Sequence, residues 1–66
     1  MEKVKIKIIT SNNHEYYMNI ALRVAPGFTL EHAFDNYIRE INQSLFLKIS
    51  NSIAIFTKHI VSIEMI

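Results

Sequence analysis

The sequence predicts an α+β fold: a small, mainly antiparallel sheet in ββαβββ order with one helix packed across one face. Three observations carry the prediction. One stretch, residues 29 to 43, places apolar residues at helical spacing. The segments on either side alternate apolar and polar residues with the period of a strand, and short polar clusters separate them. The chain has 66 residues, half of them apolar, which is room for a single α+β domain over residues 1–66.

In the first segment Val4, Ile6 and Ile8 alternate with Lys3, Lys5 and Lys7, so one face is apolar and the other basic. Ser11, Asn12, Asn13 and His14 suit a tight reversal, because Asn and Ser bond nearby backbone and Asn tolerates positive φ. From Tyr16, the residues Met18, Ile20, Leu22 and Val24 share one face, with Tyr17, Asn19, Ala21 and Arg23 on the other. This gives a strand hairpinned to the first, ended by Ala25, Pro26 and Gly27.

The helix follows. Leu30, Ala33, Phe34, Tyr37, Ile38 and Ile41 form an apolar stripe, and Glu31, His32, Asp35, Asn36, Arg39, Glu40 and Gln43 form the wet face. Thr29 is placed to cap the first turn, and Glu31 sits at its positive end. Asp35 and Arg39, four residues apart, have the spacing of a surface ion pair.

Beyond the helix, Leu45, Leu47 and Ile49 alternate with Phe46, Lys48 and Ser50. Asn51 and Ser52 supply a turn before a strand from Ile53 to Thr57. After Lys58 and His59, a last strand runs from Ile60 to Ile66, with Val61, Ile63 and Met65 opposing Ile60, Ser62, Glu64 and Ile66. The expected core is Val4, Ile6, Ile8, Met18, Ile20, Leu22, Phe34, Ile38, Ile41, Leu47, Ile49, Ile55 and Ile63, beneath a sheet of four or five strands.

Composition limits the function classes. No cysteine means no disulfide and no thiolate metal site. No segment has the length of a membrane span or the pattern of a signal peptide, so a soluble, cytoplasmic protein is expected. The net charge of +1 is too balanced to indicate a nucleic-acid or membrane partner. The excess of Phe, Tyr, Met, Ile, Asn and Lys over Gly, Ala, Arg and Pro matches AT-rich codons and points to an AT-rich bacterium or its phage.

No catalytic, cofactor or metal site is expected. His14, His32 and His59 have no ligand spacing, and the single glycine, Gly27, provides neither a nucleophile elbow nor a phosphate loop. Lys3, Lys5 and Lys7 are candidates for phosphate contact, since alternate residues project about 7 Å apart. The stronger reading is that lysines on a wet strand face keep a sheet soluble and discourage edge pairing. Tyr17 beside them is either a base-stacking platform or a cross-strand contact.

The run Phe46-Leu47-Lys48-Ile49-Ser50-Asn51-Ser52-Ile53-Ala54-Ile55, with Lys58 to Glu64 after it, resembles the C-terminal half of LytTR-type DNA-binding domains of bacterial response regulators. Lys48, Asn51 and Ser52 match polar positions of that pattern, and the resemblance implies that they touch a duplex. Ser50 stands where the family has histidine and Phe56 where it usually has asparagine, and the chain is shorter than that domain. The same ending is similar to small proteins of low-GC Gram-positive bacteria and their phages that carry no assigned activity.

The function expected is that of a small non-enzymatic regulatory or interaction protein that binds protein, either a second copy as a homodimer or another protein. DNA binding through Lys3, Lys5, Lys7, Lys48, Asn51 and Ser52 is the alternative. Phe46, Phe56, Ile60 and Ile66, together with Ala54, are expected to form the apolar interface, since a sheet with one helix has nothing to cover its other face.

Overall fold

In the computed structural model, which describes residues 1–66, the lysine-rich segment forms β1 (Glu2–Thr10) and turns back into β2 (Glu15–Leu22). At the reversal Asn13 takes a φ of 65°, the left-handed region that Asn accepts more readily than most residues. The Asn13 N–H donates to the Thr10 carbonyl at 2.9 Å, and the Thr10 N–H donates to the His14 carbonyl at 3.0 Å. Thr10 is buried, and its hydroxyl donates to Asn12 Oδ1, so the turn satisfies its own polar groups.

Helix α1 (Leu30–Asn42) ends where its caps stand. The Thr29 hydroxyl accepts from the His32 N–H at 3.2 Å, and the Gln43 N–H closes the last turn on the Glu40 carbonyl. Gly27 enters this connection at φ 86°, a conformation costly for any side-chain-bearing residue. The Asp35–Arg39 ion pair is not formed; both side chains are exposed, where tethering two long chains gains little against water.

The rest of the chain forms β3 (Phe46–Ser50), β4 (Ile53–Phe56), a 3₁₀ turn at Thr57–His59 and β5 (Ile60–Met65). The α+β class, the antiparallel pairing and the ββαβββ order are those the sequence predicts. The strands, however, divide between two sheets. One has the order β2-β1-β5 with β1 central, and the other is the β3-β4 hairpin alone. The turn at Thr57–His59 redirects the chain, and the Ser11 N–H, donating to the His59 carbonyl at 2.7 Å, ties that turn to the end of β1.

Ile6 and Ile8 are fully buried at the centre, with Ile20, Leu22 and Ala33 around them. Leu30, Phe34 and Tyr37 of the helix stripe and the inner residues of the hairpin, Leu47 and Ile49, pack against this cluster. Every residue expected in the core is buried or half-buried. Phe34 and Ile38 are only half-buried, because a helix of this length covers a three-stranded sheet incompletely.

Two expectations about side-chain direction are corrected. Leu45 lies outside β3 and is 81% exposed, because its carbonyl is held by the Thr57 N–H at 3.0 Å before the strand begins. In β5 the register against β1 shifts: Ile9 opposes Ser62, but Thr10 opposes Ile60. Val61 is thus the extra residue of a bulge, and the alternation that turns Ile63 and Met65 inward reverses beyond it. Ile60 packs on the core and Val61 points out, 67% exposed.

Candidate interaction surfaces

Lys3, Lys5 and Lys7 share the outer face of the three-stranded sheet with Tyr17 and Asn19 of β2 and Glu64 of β5, as their cross-strand registers require. Two members of the row are engaged within the chain. Lys7 Nζ lies 3.0 Å from Glu15 Oε1, and Lys5 Nζ sits over the Tyr17 ring, 5.5 Å from its centroid. The hydrogen bond to Glu15 and that carboxylate's charge hold the Lys7 ammonium above its ordinary pKa of 10.5, with Tyr17 and Glu64 adding to the effect. Glu15 was readable as this partner, because the hairpin register sets it opposite Ile9, diagonal to Lys7.

Lys48, Asn51 and Ser52 are exposed on the other hairpin. Leu47 and Ile49 face the core, so Lys48 projects from the far side, away from the lysine row. Asn51 and Ser52 form the two-residue turn, where the Ser52 N–H donates to Ser50 Oγ at 3.3 Å. The six polar residues proposed for DNA therefore fall on two surfaces directed to opposite sides of the core.

The apolar candidates also separate. Phe46 and Phe56 are directly opposite across β3 and β4, with Lys48 opposite Ala54 beside them, so all four project outward together. Phe46 is 56% and Phe56 58% exposed. Ile60 does not join them, because the bulge at Val61 turns it into the core. Ile66 does not either: its N–H donates to the Lys5 carbonyl at 2.9 Å, which places it in the other sheet. Leu45, just before Phe46, extends the hairpin's apolar end and was not singled out from sequence, where it alternates in phase with Leu47 and Ile49.

An open cleft of about 370 Å³ lies between the first turn and the end of β4, lined by Thr10, Asn12, Tyr16, Ile55, Phe56 and His59. The Phe56 and His59 rings meet edge to face at 6.4 Å. His32 stacks on Phe28 at 4.7 Å, and His14 borders Tyr16 in the first turn, so the three histidines lie in three separate places. No three His, Asp or Glu side chains converge as ion ligands would. Tyr37 is half-buried, and burial first, then the Glu40 charge, raises its phenol above the ordinary 10.0.

No helix is long and apolar enough to cross a membrane. In comparisons with protein-family models, curated proteins and solved structures, nothing matches this chain.

Proposed function

We propose that the chain is a small, non-enzymatic regulatory or interaction protein of the cytoplasm that acts by binding protein through the outer face of the β3-β4 hairpin. The carrying observation is the Phe46–Phe56 pair, two aromatic side chains in direct register and more than half exposed on a hairpin whose other face is committed to the core. Aromatic side chains supply large contact area at small entropic cost, and they dominate interface energetics when covered. The partner is either a second copy or another protein.

The test is capture from nuclease-treated lysate by the wild type and by Phe46→Ser and Phe56→Ser. Partners retained by the wild type and lost from both variants, with melting temperatures unchanged, support the reading. Identical capture by all three would sink it.

A second reading is DNA binding of the LytTR kind. It draws on the likeness of residues 46–64 and on the exposure of Lys48, Asn51 and Ser52 at one hairpin end. The lysine row adds little to it, since Lys7 is engaged by Glu15 and the row faces the other way.

A further inference from the structure

The longest unpaired edge in the molecule belongs to β2. It is the terminal strand of its sheet, paired with β1 over eight consecutive residues without a bulge. None of the hydrogen bonds outside the strand ladders and the helix reaches the backbone of residues 15–22. Alternate N–H and C=O groups along this edge thus point outward with no partner in the chain.

Edges of this kind are ordinarily blunted by a bulge, a proline or a lysine. The opposite edge, β5, carries the bulge at Val61, and β3 and β4 are short. β2 has no such device. Its one charged residue is Glu15, at the start, and Arg23 follows just past its end.

We propose that β2 pairs edge to edge with β2 of a second copy, antiparallel and two-fold symmetric about Asn19, giving one continuous sheet of six strands. Glu15 and Arg23 are equally far from Asn19, so this pairing sets each Glu15 opposite Arg23 of the other copy, twice over. On the same face Tyr17 meets Ala21, large against small. On the inner face Met18 meets Ile20 and Tyr16 meets Leu22, apolar against apolar.

Other registers lose this match. Centring on Met18 or Ile20 leaves Glu15 opposite Ala21 or Ala25, and a shift by one residue flips the side chains to the wrong face. Within its own chain Glu15 engages Lys7 through Oε1, which leaves Oε2 for the incoming guanidinium, and Arg23 has no ion-pair partner of its own. This surface is distinct from the Phe46–Phe56 face, so either reading can fail without the other.

Sedimentation equilibrium of the wild type, E15R, R23E and an equimolar mixture of the two variants tests the pairing, with melting curves to establish that each is folded. The wild type is expected to be a dimer. Each single reversal should raise its dissociation constant about tenfold or more, because both symmetry-related pairs become like-charged. The mixture should recover wild-type affinity as a heterodimer, since the two reversals complement each other at both pairs. Should E15R not fold after losing its Lys7 contact, R23E and R23K, which both keep Glu15, give the comparison: loss in the first, retention in the second. A monomeric wild type overturns the proposal. So does a dimer indifferent to both reversals, a mixture that stays monomeric, or self-association that survives the reversals and disappears in Phe46→Ser.

Discussion

Replacing Ile60 with alanine should destabilise the domain several times more than replacing its neighbour Val61. A plain alternation back from Ile63 and Met65 would give the opposite order. Ile60 lies half-buried against the Ile6–Ile8 cluster. Truncation removes three carbons worth roughly 0.8 kcal/mol each when fully buried, so partial burial plus the void left behind gives about 1–3 kcal/mol. Val61 is already 67% exposed, and its truncation should stay within about 0.5 kcal/mol. Against a total stability of roughly 3–10 kcal/mol for a chain of this size, the difference is easily measured. At about 4–8 °C per kcal/mol, Ile60→Ala should melt several degrees below the wild type and Val61→Ala within a few. Urea titration with unchanged slope would establish that the native state alone has been perturbed. Should Val61→Ala prove the more damaging, the bulge would be misplaced and β5 would run in unbroken register along β1.

Three further outcomes are expected. Thr29→Ala removes the acceptor for the His32 N–H and should cost about 1 kcal/mol, whereas Thr29→Asn should be nearly neutral; thermal melts distinguish the two. Lys7 and Tyr37 both hold their protons more tightly when folded, so the stability linked to them is complete below pH 10.0 and falls as pH rises through their raised values. Tyr37→Phe should flatten that alkaline loss in melts taken on either side of pH 10.5. Changing Lys3, Lys5 and Lys7 together to Gln should leave duplex DNA affinity at its background level at every salt concentration. A fall of about three in the slope of log affinity against log salt would instead establish phosphate contact by the row.

Local signals account for most of what was legible. The stripe from Leu30 to Ile41 and the cap at Thr29 delimit the helix to within a residue, because helix ends are chemical features of the sequence itself. The first hairpin was equally open to reading, since the Ser11–His14 cluster fixes the turn and the turn fixes the register. What escaped depends on distant partners. That β5 joins β1 and leaves β3 and β4 as a separate pair is decided by contacts spanning nearly the whole chain, which no period records. The bulge at Val61 has no marker in its own residues, and missing it misassigned Ile60 to the surface. The candidate surfaces were dispersed for the same reason: Phe46 with Phe56 follows from one local hairpin, whereas grouping them with Ile66, or Lys48 with Lys3, assumed a sheet the chain does not build.

The central position of β1 has a consequence for how the chain reaches this fold. Its partner on one side, β2, is the next strand, whereas its partner on the other is β5, at the far end of the chain. Until β5 has been synthesised, an emerging chain therefore holds only the β1-β2 hairpin of this sheet, and a lone hairpin is marginal in water. Throughout that interval the second edge of β1 stays open beside Ile6 and Ile8, the residues most deeply buried at the end. Closing the sheet means joining a loop that runs from Thr10 to Ile60, a slow step that exposes an adhesive strand while it waits. Lys3, Lys5 and Lys7 spend that time on the same strand, and mutual repulsion between nascent chains at β1 would guard the edge until β5 arrives. The lysine row then acts in the interval before β5 arrives, on the order of seconds at roughly 5–20 residues per second, as well as on the finished surface.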